Sequence, residues 1–363
     1  MPKKATSKTA EKALSILERG STKPQRSEEY LSLGCPLLNL AVSGDWRKGL
    51  LKGTYMFYAG DSSSGKTLAT LTQLAEAAND PNFADYELWH IDVEVGNFFN
   101  FEMFFGKKAA SRIQVLRPEP GKPMLLEYVY DWIEAKIAGK KKIIAIIDSF
   151  DSLSSEAKEK KIFEDAKARA EGKEIKGSYG DGKAKINSER LSRIIAMIHD
   201  SGSIVTGISQ LRDNLDAGLY GPQKTRSGGH AIKFNASLEI WTAPGEKIKK
   251  EINGTERIVG YKTRFNIKKN RVNGRERQVK IPIIPDVGMD ATGAAVDFLL
   301  EEKVWALNGS RIVCPFYEAT YYREDLIQKI ESDGRETELY EAMQAAWDDI
   351  ESKLEVHRKK RYE

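Results

Sequence analysis

The chain of 363 residues has few side chains that form disulfides or bind transition metals: two cysteines and four histidines. Cys35 and Cys314 lie far apart and the histidines are scattered singly, so neither a disulfide framework nor a metal cluster is expected. A reducing cytoplasmic setting is the default for such a chain. No apolar run reaches the roughly 18 residues of a membrane span, and no charged-then-apolar leader begins the chain. We therefore expect neither membrane insertion nor export.

A strong excess of charge of one sign is also lacking, since the net charge is +4. This value is too small to indicate a nucleic-acid partner by itself. The basic residues are nevertheless concentrated at residues 1–8, 158–185, 224–226 and 357–361, each of which could be an ordinary solvated surface or tail. With 40% hydrophobic and 30% charged residues, the chain has the composition of a globular protein with one sizeable core and a smaller satellite domain.

The most informative segment is AGDSSSGKTLAT, residues 59–70. It places the spacing G-x-x-x-x-G-K-T behind the apolar run YMFYA and before a helical pattern, which is the context of a phosphate-binding loop. Backbone N–H groups at such a helix start converge on anionic oxygens. Lys66 is expected to reach the terminal phosphates of a nucleoside triphosphate, and Thr67 to coordinate Mg²⁺, which prefers oxygen ligands. The predicted nucleotide-binding residues are Gly60, Asp61, Ser62, Ser63, Ser64, Gly65, Lys66 and Thr67.

The order of apolar segments predicts an α/β fold. The strand-like runs TYMFYA, YELWHIDVE, KKIIAIIDSF and SIVTGIS alternate with helical patterns, two of which lie near residues 122–138 and 187–200. This alternation indicates a mostly parallel central sheet flanked by helices, and IIAIIDSF is apolar on both faces, as in a central strand. After residue 228, longer alternating strands and the turn signal Asn253-Gly254 predict an antiparallel extension.

Three divisions of the chain are expected. Residues 1–30 contain a helical pattern at 8–20 followed by a polar linker, and residues 31–300 form the core. Residues 301–363 combine short strands with amphipathic helices in a small α+β domain. 

Two Gly-rich, charged and non-periodic segments interrupt the core at about 154–186 and 211–229. Loops this long inside a compact domain are usually functional or disordered.

Carboxylates that follow two predicted strands could supply the chemistry of a phosphate site. Asp148 ends an apolar strand, the usual position of an acid that holds Mg²⁺. Glu94 follows another strand, and parallel strands bring their carboxyl ends to one edge of a sheet. Glu94 is our candidate for orienting the attacking water, with Asp92 supporting it from the same strand tip. The alternative interpretations are a helix cap at Asp148 and a surface pair at Asp92 and Glu94.

Several segments together resemble a known family. GDSSSGKT, HIDVE, IIDSFDSL, GISQLRDN and RSGGHAIKFNASLEI occur in the order and at about the separations found in RecA-type strand-exchange recombinases, including phage enzymes of the UvsX kind. The resemblance runs from about residue 30 to 300, and GGHAIKFNAS is its most specific part, because ordinary P-loop ATPases lack it. It implies a RecA-like P-loop ATPase core, a DNA-dependent ATPase activity, and ATP with Mg²⁺ as cofactors. The divergent loops and the basic tail favour a phage-encoded protein.

The resemblance also implies roles for residues outside the phosphate-binding loop. Gln210 would sense the terminal phosphate and relay its presence to the segment that follows. Lys269 and Arg271 would reach across a subunit interface to the neighbour's triphosphate, where Phe234 would be an interface aromatic. Phe101 lies where an aromatic ring stacks on adenine. The implied catalytic residues are Lys66, Glu94, Gln210, Lys269 and Arg271.

The same resemblance implies contacts with DNA. Segments 154–186 and 211–229 correspond to two DNA-binding loops at the filament axis, and the helix at 8–20 would dock on the adjacent subunit. Cations, a stacking aromatic and glycine N–H groups suit a single strand. The residues implied at single-stranded DNA are Arg212, Tyr220, Lys224, Arg226, Gly228 and Gly229. The expected partners are single- and double-stranded DNA and further copies of the chain, in a helical filament or a ring at the nucleoid.

The sequence therefore predicts an ATP-dependent recombinase that forms filaments on single-stranded DNA and catalyses homologous pairing and strand exchange. Two alternatives stay open. A hexameric helicase of the same ATPase superfamily would form closed rings on DNA with a non-hydrolysable nucleotide. An ATP-gated DNA-binding mediator would bind ATP without DNA-stimulated phosphate release.

Overall fold

The computed structural model describes residues 29–95, 99–173, 182–213, 224–226, 229–356 and 358, so the predicted helix at 8–20 lies outside the described residues. The helices are α1 (Pro36–Ser43), α2 (Lys66–Asn79), α3 (Phe101–Arg112), α4 (Leu126–Ala138), α5 (Glu156–Ala170), α6 (Lys183–Ser201), α7 (Gly229–Asn235), α8 (Ala291–Glu301), α9 (Arg323–Ser332) and α10 (Glu336–Leu354), with a 3₁₀ turn at Pro81–Phe83. The strands are β1 (Tyr30–Leu31), β2 (Leu50–Leu51), β3 (Tyr55–Gly60), β4 (Tyr86–Asp92), β5 (Ile113–Leu116), β6 (Lys142–Asp148), β7 (Ile204–Asp213), β8 (Lys224–Arg226), β9 (Leu238–Ala243), β10 (Lys247–Ile252), β11 (Thr255–Asn270), β12 (Gln278–Ile284), β13 (Gly288–Met289), β14 (Ala306–Asn308), β15 (Arg311–Cys314) and β16 (Ala319–Tyr321).

The centre of the molecule is a sheet with the strand order β13-β12-β11-β9-β3-β7-β6-β4-β5. The six strands from β9 to β5 in this order run parallel. Strands β11, β12 and β13 add an antiparallel extension, and β10 joins β11 through the turn at Asn253 and Gly254. The predicted α/β fold with a mostly parallel sheet and an antiparallel extension is confirmed.

The sheet is buried on both faces, because alternate side chains of its central strands enter two different cores. In β3, Met56 and Tyr58 enter one core, and Tyr55 and Phe57 enter the other. Helices α1, α2 and α8 contribute to the first core, and α4, α6 and α7 contribute to the second. Every residue of β3 is buried. The strand that leads into the predicted phosphate-binding loop is therefore packed against a core on each face and paired with a strand on each side.

The first expected loop, at 154–186, contains a helix. The prediction of a non-periodic loop is wrong for residues Glu156–Ala170, which form α5. No residue of α5 is buried, so the helix has no apolar stripe that a periodicity search would detect. Its ends stabilise it instead: Ser155 Oγ accepts the Lys158 N–H at 3.2 Å, and the first turn carries acidic residues and the last turn basic ones.

The second expected loop, at 211–229, contains strand residues at 211–213 and 224–226, where the prediction of a loop is wrong. Leu211 and the two residues that follow it pair antiparallel with β8, with Leu211 opposite Arg226. Residues 214–223 lie outside the described residues. The described strand residues of the segment therefore lie at the end of β7, and β7 is the direct neighbour of β3 in the sheet.

The chain ends in the expected short strands and amphipathic helices. Strands β14, β15 and β16 form a small antiparallel sheet, and α9 and α10 follow it. Leu339, Met343 and Trp347 of α10 belong to the same core as α1 and α8, and the Trp347 ring lies 5.9 Å from that of Phe298. The domain boundary at residue 300 stays a prediction.

Glu351 connects α10 to the turn between β11 and β12. Its carboxylate accepts hydrogen bonds from Arg275 and Arg277, including a 2.7 Å bond from Arg277 Nη2. The Arg277 guanidinium lowers the pKa of Glu351 below its usual 4.5. A depressed pKa stabilises the fold above the unfolded-state value, and this stabilisation is lost as the pH falls through the folded-state pKa.

We expect Glu351→Gln to lower the free energy of unfolding by about 1–3 kcal/mol at neutral pH, because it weakens a charge-assisted pair in a mostly buried site. The difference from wild type should shrink as the pH falls below about 4.5, the usual pKa of this carboxyl in the unfolded chain, and should be lost as the pH passes through the lower pKa of the folded state. Denaturant unfolding at several pH values checks this. Glu301→Gln, which alters a more exposed pair with Lys280, is the control. A difference that stays constant down to about pH 3 contradicts the prediction.

Membrane-spanning and disulfide features were both expected to be absent. Within the described ranges, no helix is long and apolar enough to cross a membrane. Cys35 and Cys314 are free and buried. Burial raises the pKa of the Cys35 thiol to about 12, so the thiol stays protonated and unreactive.

Candidate functional site

The carboxyl edge of the parallel sheet brings together the strand ends that carry the predicted nucleotide-binding and catalytic residues. Gly60, the last residue of β3, pairs in register with Gln210 of β7 and Thr242 of β9. Asp92 of β4 pairs in register with Asp148 of β6. The sheet therefore brings the predicted phosphate-binding loop, metal ligand and sensor residue to one edge, where open α/β sheets bind ligands.

The loop between β3 and α2 is closely packed at its two glycines. A Cβ at Gly60 would lie 2.2 Å from Thr242 Oγ1, and one at Gly65 would lie 2.3 Å from Ile283 Cδ1. Gly65 also has a φ of +77°, which strains any residue with a side chain. Helix α2 begins at the next residue, Lys66. Its first turn presents backbone N–H groups that have no partner inside the helix.

Lys66 lies inside the loop and is only 7% exposed. Its Nζ donates to Gly60 O at 3.0 Å and to Asp61 O at 2.6 Å, while Ser64 Oγ donates to Asp61 O at 2.7 Å and closes the turn. Burial lowers the pKa of Lys66, and the nearby Asp148 carboxylate acts in the opposite direction. An anion in place of these carbonyl oxygens would favour the charged ammonium. The loop is therefore suited to phosphate.

Thr67 and Asp148 form a pair of oxygen ligands beside the loop. Thr67 Oγ1 donates to Asp148 Oδ2 at 2.8 Å, and the buried His90 places Nε2 3.8 Å from the same oxygen. The described part of the chain has no group of three or more His, Cys, Asp or Glu residues that could hold a metal ion. A two-oxygen site fits Mg²⁺, which binds through one or two protein ligands together with water and phosphate oxygens.

The Glu94 carboxylate lies at the exposed edge of the sheet, where two hydroxyl groups hold it. Ser149 Oγ and Ser152 Oγ donate to Glu94 Oε1 at 2.7 and 3.1 Å. The sequence reasoning missed both serines, although they stand in IIDSFDSL directly after β6. Asp92 is buried and forms an ion pair with Arg117, at 2.9 Å, and its support of Glu94 stays a prediction.

Gln210 lies in β7 immediately before the residues that pair with β8. Its side chain is exposed, and its backbone N–H donates to Asp151 Oδ2 at 2.6 Å. The sequence reasoning also missed Asp151, whose signal was a second acid three residues after Asp148 at the same strand end. The structure therefore places Gln210 beside the loop through Gly60 and attaches it to the segment that follows β6.

Lys269 and Arg271 both bind the end of α7. Lys269 Nζ donates to Lys233 O and Phe234 O at 2.6 and 2.8 Å, and Arg271 Nη2 donates to Phe234 O at 2.9 Å. The Phe234 side chain is 73% exposed. An exposed aromatic side chain beside two cations suits contact with another chain, and the predicted reach across an interface stays a prediction.

Phe101 begins α3 and belongs to an aromatic cluster. Its ring lies 5.6 Å from Phe99 and 6.1 Å from His90, and it packs half-buried against the first core. The cap of α3 is Asn100, whose side chain accepts the Met103 N–H at 3.0 Å. These contacts give Phe101 a packing role, and its predicted contact with adenine stays a prediction.

The residues predicted to bind DNA lie on the β7–β8 hairpin and next to it. Arg212 belongs to β7, Lys224 and Arg226 to β8, and Gly229 begins α7. Register pairs place Arg212 opposite Thr225 and Asp213 opposite Lys224. Two further residues predicted at DNA lie outside the described residues: Tyr220 and Gly228.

Comparison with known proteins identifies the family. A family model described as the RecA N-terminal domain matches residues 4–290. The protein RecA of Chlorobium limicola is 26% identical over 302 residues, which cover 81% of this chain and 76% of the relative. The RecA proteins of Chloroherpeton thalassium and Prochlorococcus marinus are both 28% identical, over 70% and 85% of this chain and 63% and 80% of their own lengths. Phage origin stays a prediction. Because the family model covers most of its length, the chain belongs to the RecA family.

Proposed function

We propose that the chain is an ATP-dependent DNA recombinase, which assembles on single-stranded DNA and catalyses homologous pairing and strand exchange. Membership of the RecA family supports this function. The observation that carries the proposal is the register pairing of Gly60 with Gln210, because it sets the phosphate-binding loop beside the base of the β7–β8 hairpin. A nucleotide at the loop then acts on the strand that leads to the predicted DNA contacts.

Triphosphate binding replaces the internal contacts of Lys66. Its ammonium group leaves the carbonyl oxygens of Gly60 and Asp61 for phosphate oxygens, and the first turn of α2 adds backbone N–H donors. Thr67 and Asp148 would hold Mg²⁺. When bound, this ion neutralises charge on the phosphate oxygens.

Hydrolysis depends on Glu94, which orients the attacking water. Because Ser149 and Ser152 both hold Oε1, the carboxylate has a defined orientation from which it accepts a hydrogen bond from that water. The exposed position of Glu94 at the sheet edge gives the water access. Fixed geometry of this kind lowers the barrier more than a mobile carboxylate does.

Lys269 and Arg271 act on the triphosphate of a neighbouring copy. Both side chains donate to backbone carbonyls at the end of α7, and an anionic phosphate outcompetes neutral acceptors of this kind. The exposed Phe234 extends the same surface toward the neighbour. ATP held between copies therefore stabilises both the assembly and its DNA-binding conformation. Hydrolysis removes the contacts to the terminal phosphate and with them both stabilising effects.

DNA contacts come from the hairpin and the segment around α5. Arg212, Lys224 and Arg226 supply cations for the phosphate backbone, and an aromatic such as Tyr220 stacks on bases. These contacts do not read base edges, so sequence specificity is not expected. Recognition of homology then rests on base pairing between the bound strand and the incoming duplex.

A strand-exchange assay tests the proposal. Purified protein, circular single-stranded DNA and a homologous linear duplex should give joint molecules with ATP and Mg²⁺, whereas a heterologous duplex should give none. Electron microscopy with a non-hydrolysable ATP analogue should show helical filaments. Closed rings would favour a helicase, and ATP binding without phosphate release would favour a mediator. A protein that stays monomeric and binds DNA equally with and without ATP contradicts all three functions.

A further inference from the structure

Residues 149–153, which we call the bridge segment, connect two strand ends at the site. At its start, Asp148 O accepts the Val93 N–H of the chain leaving β4, at 2.8 Å. The next residues turn toward the other neighbour, and the Phe150 N–H donates to Ile208 O of β7 at 2.9 Å. Backbone bonds therefore place the bridge segment between the ends of β4 and β7.

The side chains of the bridge segment bind the two residues with the central predicted roles. On the β4 side, Ser149 and Ser152 donate to the Glu94 carboxylate. On the β7 side, Asp151 Oδ2 accepts the Gln210 N–H at 2.6 Å. A single run of four residues thus contacts both the candidate that orients water and the candidate that senses the terminal phosphate.

A third contact connects the bridge segment to the first predicted DNA-binding segment. The buried Lys183 begins α6 near the end of that segment, and its Nζ donates to Asp151 O at 3.1 Å and to Leu153 O at 3.0 Å. The hairpin of the second DNA-binding segment begins one residue after Gln210, at Leu211. The base of each predicted DNA-binding segment is therefore hydrogen-bonded to the same few residues.

We propose that Asp151 is a positioning residue, which couples the state of the nucleotide to the grip on DNA by holding the backbone of Gln210. The proposal rests on the proposed function of the same site. A carboxylate that accepts a backbone N–H forms a strong, short hydrogen bond, so Gln210 moves with the bridge segment and hence with Glu94. Without that bond, the base of the hairpin no longer follows the nucleotide, because a contiguous network of contacts has lost one member.

The measured quantity is the ratio of single-stranded DNA affinities with and without a non-hydrolysable ATP analogue. This ratio reports the coupling between the two sites and is independent of either affinity alone. We expect Asp151→Ala to lower the ratio by about fivefold or more, the lower range of typical coupling. Asp151→Asn keeps an acceptor oxygen at the same distance and should retain most of the ratio. Asp85→Ala, which removes an exposed ion pair with Lys142 at the opposite end of the sheet, should leave it unchanged.

Binding of the ATP analogue without DNA should stay within about threefold of wild type in all variants, because Asp151 accepts its hydrogen bond from Gln210. The Asp151 charge also acts on Lys66, but Asp151→Asn removes that charge as well, so a charge effect alone cannot separate the asparagine and alanine variants. If Asp151→Ala does not fold, Asp151→Glu replaces it, since the longer side chain displaces the carboxylate from the Gln210 N–H. Equal ratios for wild type and the alanine or glutamate variant overturn the proposal. A wild-type ratio close to one overturns the proposed function instead, so the two failures are distinguishable.

Discussion

Lys66→Ala is expected to abolish nucleotide-dependent assembly on DNA and to lower ATP turnover by about 10²–10³-fold, the usual effect of removing one group that stabilises transition-state charge. Lys66 is the buried cation of the loop, and its Nζ donates to the two carbonyls that phosphate would displace. The helix start alone would still offer N–H groups, so weak nucleotide binding should persist. Phosphate release and filament formation with ATP measure the two effects.

The control for this substitution is Lys52→Ala, which removes a lysine that donates to Asn82 O far from the loop. Both variants should retain the fold, as thermal unfolding will check. Turnover close to wild type in Lys66→Ala would falsify the assignment of residues 60–67 as the phosphate-binding loop.

Glu94→Gln is expected to slow hydrolysis by about 10²–10⁴-fold, the range for loss of a general base or water-orienting group, while prolonging the lifetime of the DNA complex. The amide keeps an oxygen that can accept from Ser149 and Ser152, so the local structure should persist. It loses the negative charge that orients and activates water. Because hydrolysis ends the DNA-binding state, slower hydrolysis should reduce the DNA dissociation rate in ATP.

Single-turnover phosphate release and DNA dissociation in ATP measure these two changes. Glu87→Gln, at the other end of β4, is the matched control, since Glu87 pairs with Lys136 at 2.7 Å and lies away from the carboxyl edge. If Glu94→Gln hydrolyses ATP at the wild-type rate, another group orients the water and the role assigned to Glu94 is wrong.

The parallel sheet and its functional edge could be predicted because both follow from local patterns. The five apolar residues that precede Asp148 in β6 are all buried, and such a run is typical of a central strand. The spacing of Gly60, Gly65 and Lys66 is equally local, and both glycines lie where a side chain would clash with a neighbouring residue. Both features depend only on residues that are close together in the sequence, so they can be recognised without knowledge of the fold.

Features that depend on contacts between distant segments could not be predicted. Helix α5 buries no side chain, so no stripe of core residues in its mostly charged sequence distinguishes it from a loop. The hydrogen bonds that Ser152 donates to Glu94 and that Gln210 donates to Asp151 join residues 58 and 59 positions apart. Whether a serine or an aspartate in IIDSFDSL binds water or a neighbouring strand depends on the sheet order, which the sequence predicts only in outline.

The placement of Trp347 and its neighbours on α10 has a practical consequence for deletion experiments. These side chains belong to the hydrophobic core that α1 and α8 also line. Truncation of the chain at residue 300 would therefore expose the apolar side chains of α1 and α8 to solvent. A shortened protein that precipitates or loses activity would then say nothing about what the last 63 residues contribute to recombination. Charge reversals on the outer surface of α9 and α10 separate that contribution from simple structural collapse.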